Sequence, residues 1–140
     1  MSDEKQLGNY RFIIEIEGVQ AGAFRSFSGL STKNEVIEYR RGGDRTVRRR
    51  PGRTHFSNLV LEKGFTTSTD LFDWQETVRR GEAEKKSGSL VILDHDGSEQ
   101  RRYNFHEAWP VSWEAPGMVA GAGETAVEKI EIAVENVELG

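Results

Sequence analysis

Apolar and charged residues alternate with a period of two along much of this chain, and that rhythm limits its fold more than any other feature. From Tyr10 to Glu17, the even positions Tyr10, Phe12, Ile14 and Ile16 make one apolar face, while Arg11, Glu15 and Glu17 point the other way and Ile13 breaks the pattern. Gly18 closes this strand. Near the other end Ile130, Ile132 and Val134 alternate with Glu131, Ala133 and Glu135. Successive strand side chains point to opposite faces, so both segments read as strands buried on one side. Phe24 to Leu30 and Glu35 to Arg41 read as further extended segments. Phe56 to Lys63 sets Leu59 and Leu61 on one face and Val60 with Phe56 on the other, the pattern of a strand covered on both faces. Ser89 to Asp94 and Arg101 to Glu107 flank Asp96-Gly97, a hairpin turn signal. Trp109 to Trp113 carries the second arm of that hairpin past Pro110, which implies an edge or a bend. Gly117 to Gly123 reads as a flexible loop.

One segment has helical spacing. Between Asp70 and Glu82, Leu71, Trp74 and Val78 share a face, with Phe72 beside it. Thr69 or Asp70 is placed to cap the N-terminus, Asp70, Asp73 and Glu76 come early, and Arg79 and Arg80 come late, as the helix dipole favours. Leu71, Trp74 and Val78 are expected to pack on the strands. The fold class is therefore mainly β: a small β-barrel or sandwich of about seven or eight strands with one flanking α-helix. The 140 residues fit one domain, with a flexible N-terminus over 1–8 and an arginine-rich arm or loop over 40–55.

That arm carries the main chemical signal. Arg40, Arg41, Arg45, Arg48, Arg49, Arg50 and Arg53 stand against a single acid, Asp44, within fourteen residues. Seven positive charges less one give the run +6 in a chain of net charge -4, so the other 126 residues carry -10. Gly42-Gly43 and Pro51-Gly52 read as turns at its two ends, making it a long loop or an extended hairpin arm. Guanidinium groups pair with carboxylates and phosphates alike, so the run fits an inter-subunit or inter-ring contact or a nucleic-acid contact. Against the latter stand the acidic remainder and the lack of aromatic residues interleaved for base stacking. A merely solvated surface loop is the third reading.

Little else points to chemistry. There is no cysteine, which excludes disulfides and thiolate ligands. Among His55, His95 and His106, no pair has the spacing of a zinc-protease helix. Asp94-His95-Asp96-Gly97 is read as a hairpin turn, because a calcium loop would need its glycine sixth and a glutamate twelfth. Gly117, Gly121 and Gly123 are not followed by the Lys-Ser/Thr of a phosphate loop, and no serine lies in a Gly-x-Ser-x-Gly elbow. No enzyme activity and no cofactor or metal is expected, and Trp74, Trp109 and Trp113 read as core or interface anchors. No apolar run approaches the roughly 20 residues of a membrane helix, and no direct membrane insertion is expected.

Several segments, taken in order, resemble the tail-tube, or inner-tube, proteins of contractile phage tails and related contractile injection systems. They run from Phe12-Ile13-Ile14-Glu15-Ile16-Glu17-Gly18 and Gly22-Ala23-Phe24-Arg25-Ser26-Phe27-Ser28-Gly29-Leu30 through Val36-Ile37-Glu38-Tyr39-Arg40 to Arg50-Pro51-Gly52-Arg53-Thr54. Leu59-Val60-Leu61-Glu62-Lys63-Gly64, Leu71-Phe72-Asp73-Trp74, Phe105-His106-Glu107-Ala108-Trp109-Pro110 and Glu128-Lys129-Ile130-Glu131-Ile132 follow. The resemblance implies a subunit made in the cytoplasm that assembles into hexameric rings stacked as a hollow tube. Its implied partners are other copies of itself, a sheath protein, baseplate or spike and cap proteins, and protein or DNA cargo in the lumen. It also implies a place in a phage tail or phage tail-like particle, intracellular or released. The alternative from the residues alone is a small β-barrel nucleic-acid-binding module using the arginine run. Tyr10 to Glu17 and Lys129 to Glu138 stand out as long strands without an internal proline, whose edges a second copy could pair with.

Overall fold

A computed structural model describes residues 11–19, 24–64, 66–117 and 126–140. Tyr10, the N-terminal 1–8 segment, Gly22 and the 118–123 part of the glycine loop lie outside the described residues. The described chain forms nine strands and one helix. They are β1 (Arg11–Ile16), β2 (Phe24–Ser28), β3 (Thr32–Tyr39), β4 (Arg48–Phe56), β5 (Leu59–Gly64), α1 (Asp70–Arg79), β6 (Lys86–Leu93), β7 (Glu99–Glu114), β8 (Val127–Ala133) and β9 (Asn136–Leu139).

Seven strands build the body, in the order β1-β6-β7-β8-β5-β2, with β9 also paired to β7. All the pairings are antiparallel. β7 organises them. Its first half pairs with β6 and β9, and its second half pairs with β8. Between the halves Glu107 takes a left-handed backbone (φ 56°), and the register shifts there and again between Pro110 and Ser112. Each shift adds a residue to one strand and bends it. So one 16-residue strand passes from one layer into the other, and Pro110 marks a bend, not an edge. β8 and β9 run along β7 in one unbroken register, from Trp109 opposite Ala133 to Tyr103 opposite Leu139.

The alternation read from sequence becomes the core. Ile14 and Ile16, Leu59 and Leu61, and Ile130 and Ile132 are buried with Phe24, Leu90, Phe105 and Ala108 in one cluster. Each such aliphatic side chain stabilises the fold by about 1.5–3 kcal/mol relative to exposure. The two edge strands, β1 and β2, are not hydrogen-bonded to each other, so the sheet stays an open sandwich and not a closed barrel. Phe12 and Phe27 bridge the gap edge-to-face, with ring centres 5.0 Å apart. Gly88 is required where β1, β6 and β7 meet. A Cβ there would lie 2.4 Å from the Phe105 ring and 2.5 Å from the Glu15 carbonyl oxygen.

The helix is shorter than expected, ending at Arg79. Gly81 (φ 79°) ends it, with its N–H bonded to Val78 O and the Glu82 N–H bonded to Thr77 O. Thr69 sits at the N-cap position but makes no cap bond; its hydroxyl donates to Asp73 Oδ2 at 2.9 Å. Ser68 Oγ accepts the Asp70 N–H instead, at 3.3 Å. Leu71 and Trp74 are buried, Val78 is only half-buried, and Trp74 donates its indole N–H to the Glu84 carbonyl at 2.6 Å.

The strand expected over Phe56 to Lys63 is two strands. Phe56 ends β4, the chain turns at Ser57-Asn58, and β5 begins at Leu59. β8 is also not an edge, since β7 and β5 flank it. Free edges among these segments belong to β1 and to the short β9.

Candidate functional site

The arginine run lies in a second, separate sheet made only of β3 and β4. It covers the tip of this ribbon and the first part of β4. The Gly42-Gly43 turn forms as read: Asp44 N–H bonds to Arg41 O at 2.9 Å, and Gly43 takes φ 85°, a conformation that favours glycine. Pro51-Gly52 is not a turn. Both residues lie inside β4, where the register with β3 slips between Asn34 and Val36. The ribbon tolerates Pro51 because its strands have free edges. Gly52 lets Ile37 lie close, 3.0 Å from where a Cβ would be.

No side chain of the ribbon between Thr32 and His55 is buried. Register pairs Val36 with Pro51, Ile37 with Arg50, Glu38 with Arg49, and Tyr39 with Arg48. All seven arginines are exposed. Arg48 Nε bonds to Asp44 Oδ2 at 2.9 Å, and Arg49 reaches Glu38 at 3.5 Å. Arg40, Arg41, Arg45, Arg50 and Arg53 make no ion pair among the described residues. His55–Glu35 (2.7 Å), Thr54–Asn34 (2.7 Å) and Ser31–Ser57 (2.7 Å) hold the lower ribbon and its base. An isolated two-stranded ribbon is marginal in water. This one keeps its order by its own ladder and a few exposed polar pairs.

On the body, two features were not visible in the sequence. Lys63 continues the inward series Leu59, Leu61 and is 1% exposed, and its Nζ has no hydrogen-bond partner among the described residues. Opposite it in register stands Glu128, also buried, which accepts the Trp113 indole N–H at 2.6 Å. A period-two count places Lys63 on the core face, but its charge masked that reading. The second feature is a serine, histidine and glutamate in line. His106 Nε2 meets Glu138 Oε1 at 2.5 Å, and its Nδ1 lies 3.5 Å from Ser87 Oγ. These are the side chains of a hydrolase triad, but the surroundings oppose that chemistry. The groove beside them is lined by Glu15 and Glu17, and neighbouring amides serve the β1-β6-β7 ladder. A developing oxyanion would meet negative charge where it needs donors. The trio instead straps β9 across β7 to β6.

The Asp94-His95-Asp96-Gly97 segment is the β6–β7 hairpin turn. Asp94 N–H bonds to Ser98 O, and Gly97 takes φ 89°. The Asp94 carboxylate accepts the backbone N–H of His95, and that of Asp96 accepts the hydroxyl and N–H of Ser98. These bonds hold both carboxyls below their ordinary range. Nearby, Arg102 bonds to Glu99 at 2.9 Å and to Glu15 at 3.3 Å, which lowers the Glu99 carboxyl and raises the guanidinium.

The comparisons with known proteins converge. The chain aligns with a chain of the extended sheath-tube complex of PVC, an extracellular contractile injection system, at a TM-score of 0.85. Identity is 30%, over 99% of this chain and 93% of that one. A chain of the tube-terminating cap of the anti-feeding prophage aligns at 0.85 with 26% identity, over 100% of this chain and 94% of that one. Hcp1 from Flavobacterium johnsoniae aligns at 0.58 with 18% identity, over 92% of this chain and 94% of that one, which shows a shared fold. A search of curated protein sequences gave no match. The model of the T4-like virus tail tube protein gp19 family matches residues 8–138, and the chain belongs to that family of structural tube proteins.

Proposed function

We propose that this protein is the repeating subunit of the inner tube of a contractile injection system or phage tail, closing into hexameric rings that stack around a bore. A sheath surrounds the tube, a cap and a baseplate or spike close its ends, and cargo travels through it. The particle is built inside the producing cell and either acts there or is released.

One observation carries this reading beyond family membership. The β3–β4 ribbon buries no side chain on either face and holds five arginines with no ion pair among the described residues, on a body of opposite charge. Such an arm gains its stabilising contacts from another copy. Arg40, Arg41, Arg45, Arg48, Arg49, Arg50 and Arg53 are then inter-subunit or inter-ring contacts. Each exposed ion pair contributes only about 0–1 kcal/mol, but a symmetric assembly repeats it at every interface. The exposed Arg11 and Glu15 on the outer face of β1 suit a wall in contact with water.

Negative-stain microscopy of the untagged protein over a range of concentrations and salt tests the reading, with rings or tubes of uniform width expected. A protein that stays monomeric throughout and binds nucleic acid with steep salt dependence would replace it with the nucleic-acid-binding reading.

A further inference from the structure

Beside the base of the arm the sandwich opens into a cavity of about 450 Å³. Phe27, Leu30, Phe56, Tyr103, Val137 and Leu139 line it. Leu139 is 70% exposed there, a large apolar side chain at the entrance of an apolar hollow. The arm carries a matching feature. Val36, 60% exposed, stands opposite the exposed Pro51, and residues directly opposite in an antiparallel pair share a face. An apolar step thus stands between charged and polar side chains along that face; nearer the tip Val47 is exposed as well, but less than Val36.

The step cannot reach the cavity of its own chain. Val36 lies four residues along β3 from Thr32, which is on the cavity wall, and a strand rises about 3.3 Å per residue, so the separation is roughly 13 Å. The β3–β4 ladder holds that separation fixed.

The geometry points to this cavity as the socket for the Val36–Pro51 step on the arm of a second copy, an inference that rests on the tube reading and names its contact. Charge selects a second copy over another occupant. The arm carries +6 and the rest of the chain -10. Arg49 and Glu38, opposite each other and two residues along from the Pro51–Val36 pair, come with the step onto that acidic body. Arm and socket are different patches of one surface, so the contact is head-to-tail. Contacts of that type close into rings or propagate along an axis, as a tube requires.

The chain has no cysteine, so site-directed cross-linking reads the contact directly. One preparation carries Val36→Cys, another Leu139→Cys; both positions are exposed, and the substitutions leave the core intact. Co-assembled and oxidised, or treated with a short bismaleimide, the two variants are expected to give a linked dimer that neither gives alone. The double variant should give a ladder of multimers. Val36→Cys linking to itself as efficiently would mean that arms meet arms, and the socket would be wrong. Tubes visible by microscopy with no cross-link would overturn the socket and leave the tube standing. Absence of any assembly would remove both. As a second measurement, Val36→Asp should keep the monomer's circular dichroism and lose the pelletable polymer. Polymer in undiminished amount would sink the inference even if the cysteine variants behaved as expected.

Discussion

The body and the arm are both antiparallel β-structure, but different forces hold them. In the body, strand after strand turns an apolar face inward, and Phe105, Leu59, Leu61, Ile130 and Ile132 are shut away from water. In the arm no residue from Thr32 to His55 is buried, and the exposed pairs Arg48–Asp44 and Arg49–Glu38 stand where a core would be. The body's sequence therefore specifies a monomer. The arm's sequence is rich in one charge and poor in burial, and under the proposed assembly a second copy supplies the surface that the core supplies in the body. Mutations should separate the two regions by their readout: those in the body move the melting transition, and those in the arm move assembly.

The largest expected effect lies in the body. Trp74 is 2% exposed and anchors the helix to the Glu84 carbonyl as well as to the core. Trp74→Ala should destabilise by about 3–5 kcal/mol, read as a clear drop in melting temperature and in denaturation midpoint. A melt within a degree or two of the parent would place that face on the surface and erase the contrast.

The same small substitution can be made in both regions. Gly88→Ala drives a methyl into the Phe105 ring and the Glu15 carbonyl, which the packed body cannot move aside, and should cost about 1–3 kcal/mol. Gly52→Ala meets Ile37 Cδ1 and Cγ1 at 3.0 Å and Glu35 Cβ at 3.2 Å, but on a ribbon open to solvent these side chains can give way, and the cost should stay within about 0.5 kcal/mol. Equal losses in chemical denaturation would mean that the arm is packed as tightly as the body. Lys63→Met sharpens the point within the core itself. It removes an ammonium with no hydrogen-bond partner among the described residues while keeping similar length, and Glu128 retains its bond from Trp113, so stability should rise by about 1–2 kcal/mol. A loss would show that Lys63 balances the buried Glu128 charge.

In the arm, replacing Arg48, Arg49 and Arg50 together with serine should leave the monomer melt within about 0.5 kcal/mol of the parent. Sedimentation should show shorter or salt-sensitive polymer. Unchanged length and salt resistance would end the assignment of those arginines to contacts between copies.

These contrasts also explain what the sequence disclosed. Strands with one clean apolar face, β1 and β8, were legible because period two is a direct consequence of burial on one side. The helix was legible from Leu71 and Trp74, and the β6–β7 turn from Asp96-Gly97. Features set by tertiary contact were not. Nothing local marks Glu107 as the left-handed bend that carries β7 between layers, because the strain is imposed by two sheets meeting. Ser57-Asn58 broke a strand that hydrophobicity alone ran straight through from Phe56, because Phe56 belongs to the arm base and Leu59 to the core. Pro51-Gly52 read as a turn because that is the pair's commonest use, although a free-edged ribbon admits it in mid-strand. For the arm, composition announced the charge, but the cavity proposed as the socket of its apolar step is built from residues as far apart in sequence as Phe27 and Leu139.

The smallest expected effect compares the two hairpin tips through pH. At the β6–β7 turn, Asp94 and Asp96 accept bonds from His95 and Ser98, and both carboxyls sit below their ordinary value of about 4. A carboxyl depressed in the folded state contributes stability that is complete above its unfolded pKa and is lost as pH falls through its folded pKa. The turn should therefore stay tight at neutral pH and loosen only as the solution is acidified from about pH 4 downward. Because the groups are exposed, the change should be local: faster hydrogen exchange at the His95 and Ser98 amides, with the core amides of β7 and β8 unaffected. The arm tip relies on the Gly43 turn and on a single aspartate facing Arg48, with no carboxylate collecting backbone N–H groups as Asp96 does. It should exchange rapidly at every pH in the free monomer, and slow only when a second copy covers it. Equal protection of the two tips in monomer would mean that the arm holds itself, and that its order owes nothing to assembly.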